Sequence, residues 1–252
     1  MSKKIQITFI FFLLIFIFCG CNSNIEITYP RYFTTKEEIE GYAFDENKTS
    51  IGSFVKTKND YLFIPYKLYD DEANKEYSVI QLGFNSIGIR TNGKFMIYSK
   101  QKIVTRFYFP NSIKTIYHSY FENYNISGGV KFFYCGEIID LSPFELGNEK
   151  DIIYVPYNQY DLFKEKNLNL NRTLLKSNVE YHLNYDNNEL YYIDYYENEE
   201  TIKFIPPIPE RKGYLFDGWY KEQECINKWN FEIDTVNNIE EKTVTSLYAK
   251  WI

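Results

Sequence analysis

The sequence predicts a β-rich α+β protein made of several small modules. Three observations carry that expectation. Short aromatic and β-branched runs recur along the chain, each bounded by Gly, Pro, Asn or Asp. Such punctuation marks strands and turns, because proline cannot donate to a ladder and glycine takes positive-φ positions. Aromatic residues make up 19% of the chain, with 25 Tyr, whose apolar ring and polar tip suit strand faces that stay partly wet. The 252 residues also exceed one typical domain, so two or three compact units are expected.

The chain opens with Lys3 and Lys4 ahead of an apolar run from Ile5 to Phe18. That is a positive n-region and a hydrophobic core of signal-peptide length, too short for an ordinary spanning helix. Residues 1–20 are therefore read as a leader. Phe18-Cys19-Gly20-Cys21 resembles the lipobox of bacterial lipoproteins, with Gly20 and Cys21 on the motif and Phe18 and Cys19 departing from its usual leucine and small residue. The resemblance implies that Cys21 becomes the lipidated N-terminus and that the membrane, at its extracellular face, is the first partner. An ordinary signal peptide or an uncleaved anchor is the alternative.

Lys3 and Lys4 leave with the leader, so 28 basic groups become 26 against 34 acidic ones, a net charge of −8. No lysine or arginine cluster is visible, and this argues against nucleic acid as a partner. The remaining cysteines, Cys135 and Cys225, lie far apart in sequence and read as packing residues rather than a disulfide framework.

Residues 21–100 read as a small α+β domain of no recognisable family. Thr35-Lys36-Glu37-Glu38 fits a capping box with Ile39, Tyr42 and Ala43 at helical spacing behind it, although Gly41 weakens a helix there. Strands are expected at Tyr61–Tyr66, Ser78–Gly83, Ser86–Arg90 and Lys94–Tyr98, the last two joined by a hairpin at Thr91-Asn92-Gly93.

In residues 101–169, Phe107-Tyr108-Phe109-Pro110-Asn111-Ser112-Ile113, followed by Tyr120-Phe121, resembles the BspA-like leucine-rich repeat. Ile152-Ile153-Tyr154-Val155-Pro156, followed by Tyr160-Asp161-Leu162-Phe163-Lys164, resembles the strand and short helix that close such arrays. Stacked repeats normally need about three copies, so this short segment must lean on a neighbour. Residues 167–177 read as a linker.

Residues 177–252 open with a hairpin expected from Val179–Leu183 and Leu190–Tyr196. Pro209, Gly213-Tyr214-Leu215-Phe216-Asp217-Gly218-Trp219-Tyr220 and the closing Leu247-Tyr248-Ala249-Lys250-Trp251 then resemble the internalin B-type repeat, also called the Listeria–Bacteroides repeat. The resemblance implies a small β-grasp-like unit in a surface protein, without catalysis. Strand alternation predicts that one of Trp219 and Tyr220 is buried and the other exposed, and the unit is expected to fold alone.

No cofactor or metal is expected, because His118 and His182 lack ligand or triad spacing and no phosphate loop, Gly-x-Ser-x-Gly or Cys-x-x-Cys occurs. Asn184, Asp186 and Asn188 imitate half a calcium loop but lack its glycine and closing glutamate. Trp219, Tyr220, Trp229 and Trp251 are the candidate interaction residues for a protein or carbohydrate ligand. The expected function is a non-catalytic, surface-displayed interaction or adhesion lipoprotein. The alternative is a hydrolase or carbohydrate-processing accessory with its site in residues 26–100.

Overall fold

A computed structural model describes residues 39–44, 51–55, 60–70, 75–79, 81–82, 104–116 and 128–252, apart from 138, 147, 186, 188 and 237–242. The expected leader, Cys21, His118 and the hairpin expected at Thr91-Asn92-Gly93 lie outside the described residues.

Strand β1 (Ile39–Phe44) pairs antiparallel with β2 (Ile51–Val55). This corrects the helix expected behind Thr35. Ile39, Tyr42 and Phe44 are strand formers, and pairing with β2 outweighs a helical spacing that Gly41 already weakened. Strand β3 (Tyr61–Phe63) follows, then an antiparallel hairpin of β4 (Lys67–Asp70) and β5 (Lys75–Ser78), then β6 (Gln81–Leu82). The single strand expected over 78–83 is thus divided, with buried Val79 donating its N–H to the Tyr66 carbonyl at 3.0 Å.

Next come β7 (Arg106–Phe109), β8 (Thr115–Ile116), β9 (Lys131–Tyr134), β10 (Ile152–Val155) and β11 (Thr173–Lys176). Strands β1, β2, β6 and β8 form one four-stranded sheet. Strands β3, β7, β9, β10 and β11 form a five-stranded sheet, parallel throughout and in chain order. Its register is regular at the end: Lys131 faces Ile152 and Ile152 faces Thr173, so both steps (152 − 131 and 173 − 152) are 21 residues.

Period-two alternation gives this ladder two buried faces. Leu62, Phe107, Phe109, Phe132, Tyr134, Ile153 and Val155 point inward and pack with Val104, Ile113, Phe144 and Phe163. Phe63, Tyr108, Phe133 and Tyr154 point the other way. The turn before β9 requires Gly129 (φ 75°), where a Cβ would lie 2.4 Å from the Lys150 carbonyl oxygen. Helix α1 (Tyr160–Lys166) presents Phe163 to the inner core, as the sequence anticipates. The ladder extends past both boundaries read from the sequence. It takes β3 from residues 21–100, and it takes β11 from the expected linker because Leu174 packs on the inner core and Leu175 on the outer one.

The C-terminal part forms a mixed sheet of β12 (Val179–His182), β13 (Leu190–Asp194), β14 (Phe216–Tyr220) and β15 (Thr245–Trp251). The order is β13-β12-β15-β14, with β12 parallel to β15 and the outer pairs antiparallel. The expected hairpin is β12–β13. This sheet covers the outer face of the ladder, and the two share one hydrophobic cluster.

Candidate functional site

The seam between ladder and C-terminal sheet is organised by a column of rings. Phe63 stacks on Tyr108 at 4.1 Å, Tyr108 on Phe133 at 4.6 Å, Phe133 on Tyr154 at 4.8 Å, and Tyr154 on Tyr195 at 4.9 Å. The first four come from successive rungs. Tyr195, which follows β13, completes the column from the other sheet.

Polar contacts fix the register of the seam. Arg106 donates to the fully buried Asp194 at 2.5 Å and to the Tyr108 hydroxyl at 2.8 Å, with its guanidinium 4.5 Å from Phe133 and 4.2 Å from Phe204. Burial pushes the Asp194 carboxyl up to about 6, the Arg106 charge opposing that rise, and burial raises the Tyr108 hydroxyl well above its ordinary range. Tyr192 donates its hydroxyl to the Ile64 carbonyl at 2.5 Å, and Asn111 donates to Glu189 at 2.7 Å.

Of the aromatic residues predicted as contacts, Trp219 and Trp229 are buried and Trp251 is half-buried. Trp219 meets Tyr181 edge-on at 5.0 Å and Phe216 at 5.3 Å. Trp251 donates its indole N–H to the Leu183 carbonyl at 2.6 Å. Tyr220 is also buried, at 5% exposure against 3% for Trp219, which corrects the expectation that one of the pair is exposed. Alternation puts Tyr220 on the far face of the sheet, where its hydroxyl donates to Asp217 and the ammonium groups of Lys228 and Lys250 lie over its ring at 5.9 and 4.8 Å. Gly218 (φ 148°) makes room for that cover, since a Cβ there would lie 2.5 Å from the Lys228 stem. These residues pack within the module.

A groove of about 300 Å³ opens instead where the ring column ends. Tyr157, in the turn before α1, Tyr160, the first residue of α1, and Tyr195 line it. Leu175 and Lys176 come from the last rung, Ser177 and Asn178 from the connection to β12, and Thr243 from the approach to β15. Leu175 lies opposite Tyr154 in register, so the position that would carry a further ring is aliphatic. Lys176 Nζ sits 4.8 Å from the Tyr157 ring and 5.1 Å from that of Tyr160.

Ser177 and Asn178 are occupied: the Ser177 hydroxyl donates to Glu180 at 3.4 Å, and the Asn178 amide donates to the Tyr196 carbonyl at 2.8 Å. Glu180 also accepts the Tyr157 N–H at 2.9 Å and lies 3.6 Å from His182 Nε2. Serine, carboxylate and histidine therefore occur in an order unsuited to nucleophilic catalysis. A triad needs histidine between the other two, and here Glu180 is in the middle. Elsewhere, Glu137 pairs with Lys114 at 3.9 Å and Asp140 accepts the Ser142 N–H at 2.9 Å. Cys135 is buried, its thiol pushed up by burial, and Cys225 is a half-buried free thiol. Asn184 of the calcium-like run ties its amide to the Gln223 and Ala249 carbonyls. Among the described residues, no His, Cys, Asp and Glu group is placed to hold a metal, and no helix is long and apolar enough to cross a membrane.

Comparison with known proteins decides the nature of the C-terminal sheet. Residues 181–250 match the Listeria–Bacteroides repeat domain. The match runs from within β12 into β15, beginning a few residues inside the boundary read from sequence. Two proteins of Evansella cellulosilytica resemble parts of the chain. One, named as a membrane protein, is 39% identical over 46 residues, covering 18% of this chain and 6% of its own length. The other, named as a glycine-rich membrane protein, is 32% identical over 73 residues, covering 29% and 8% respectively. The chain thus spans under a tenth of the length of these relatives.

Proposed function

We propose that this protein is a non-catalytic, surface-displayed binding lipoprotein whose ligand occupies the groove between the ladder and the repeat domain. In this reading Cys21 carries the lipid that tethers the protein to the outer side of the cell membrane, and adhesion or ligand capture is its work. The lipobox-like sequence, the repeat domain and the membrane-protein names of the two relatives support display at a membrane. The parallel 21-residue rungs support a leucine-rich-repeat-like segment, and the β13-β12-β15-β14 order with its parallel central pair supports a β-grasp-like repeat.

The observation that carries the proposal is the groove itself: it is built from both modules and bears aromatic rings, and its described lining residues bring no catalytic groups together. The test is to screen residues 22–252 against surface proteins and oligosaccharides beside the double variant Tyr157→Ala/Lys176→Glu. Capture that disappears in the variant, with melting unchanged, is the expected result. Capture of the same ligand by both proteins would place the site elsewhere. Fatty-acid labelling that is lost in Cys21→Ser tests the anchor.

A further inference from the structure

The groove is distinguished by which of its polar atoms have no protein partner. The hydroxyls of Tyr157, Tyr160 and Tyr195 and the ammonium of Lys176 make no hydrogen bond or ion pair with another described residue, whereas Ser177 and Asn178 are bonded within the wall. Lys164, one turn along α1 from Tyr160, brings a second ammonium to 5.8 Å from the same ring. It too has no carboxylate partner among the described residues. Among the described residues, no Asp or Glu lines the groove, although acidic residues outnumber basic ones along the chain, 34 to 28. The carboxylate behind the wall, Glu180, is turned to the Tyr157 N–H, the Ser177 hydroxyl and His182.

Building on the binding reading above, we propose that the groove takes an acidic saccharide, a sugar bearing a carboxylate such as a uronic acid residue. Tyrosine rings offer flat apolar faces to the C–H side of a sugar, and their hydroxyls exchange hydrogen bonds with its hydroxyls. A ligand carboxylate reached by Lys176 and Lys164 gains charge-assisted hydrogen bonds. The remaining acidic surface does little against this at physiological salt, where fields fade over about 8 Å. Lys176 is also held ready, because two rings already fix its ammonium and less side-chain freedom is lost when the anion arrives.

The experiment uses residues 22–252 and three probes by titration calorimetry: a trimer of galacturonic acid, the neutral galactose trimer, and free acetate. The acidic trimer is expected to bind at least tenfold more tightly than the neutral one, acetate to bind hardly at all, and tenfold more salt to weaken the acidic trimer. Lys176→Gln should remove the preference for the acid while leaving the melting curve unchanged, and Tyr195→Phe should weaken both trimers. Equal binding of the two trimers would overturn the acidic assignment while leaving the binding reading intact. Acetate matching the acidic trimer would reduce the site to a simple anion site. No binding of any probe, with a protein ligand captured through the same groove, would overturn the saccharide assignment alone; no capture by any screen would remove both.

Discussion

The two faces of the five-stranded ladder are equally aromatic but are completed in different ways. The inner face packs Phe107, Phe109, Phe132 and Tyr134 against residues from the same part of the chain, such as Phe144 and Phe163. The outer face packs Tyr108, Phe133 and Tyr154 against Tyr181, Tyr192 and Ile193 of the repeat domain. It also carries a buried ion pair that spans 88 residues of sequence. The inner core is thus a local product of the rungs, and the outer one exists only where the two modules meet. A module with a clear family signature can therefore still depend on a neighbour for part of its burial.

The largest test of that difference is to separate the modules. Residues 177–252 alone, expected from sequence to melt like the full chain, should instead melt lower, by roughly 10–20 °C if the seam contributes about 3 kcal/mol. A fragment that melts with the full chain would show that the seam contributes little.

Breaking the seam's ion pair comes next. Arg106→Ala leaves the enclosed Asp194 carboxyl without its partner, so a loss of about 3–5 kcal/mol in urea unfolding is expected at pH 7. The loss should shrink at pH 5, where the carboxyl accepts a proton. In the wild-type protein the Asp194 carboxyl titrates near 6, above its ordinary 3.8. The folded state then binds that proton more readily than the unfolded one. The contribution of Asp194 accordingly rises as pH falls from about 6 toward 4. Asp194→Asn should flatten that part of the pH profile; an unchanged profile would remove Asp194 as its source.

Trp219→Ala probes the repeat's own packing and should cost a similar 3–5 kcal/mol, lowering stability without a pH-dependent component. A folded, thermally unaltered variant would reverse its assignment as a packing residue. Tyr192→Phe deletes one seam hydrogen bond and leaves the Ile64 carbonyl unpaired, for about 1–3 kcal/mol in the same unfolding assay. The smallest change is expected from Lys221→Ala, which loses an exposed pair with Asp234 worth about 1 kcal/mol or less. A loss there as large as that of Arg106→Ala would erase the distinction between seam and surface.

Turn residues and short aromatic runs were enough to indicate the β-rich class and the β12–β13 hairpin, while the repeat and the α1 helix were legible through their resemblance to known repeats. The 21-residue recurrence of aromatic positions at Phe133 and Tyr154 was also present as a signal for the ladder. Tertiary structure decided the rest. Ile39–Phe44 became a strand because a partner strand was available, and Leu174 and Leu175 left the expected linker because each found a core to enter. Tyr220 lies under the Lys228 and Lys250 ammonium groups, brought from elsewhere in the chain, which alternation along one strand cannot register. The groove was illegible for the same reason. Tyr157, Tyr160, Lys176 and Tyr195 share no common motif and come from separate stretches of the chain, and packing one module on the other brings them to a shared surface.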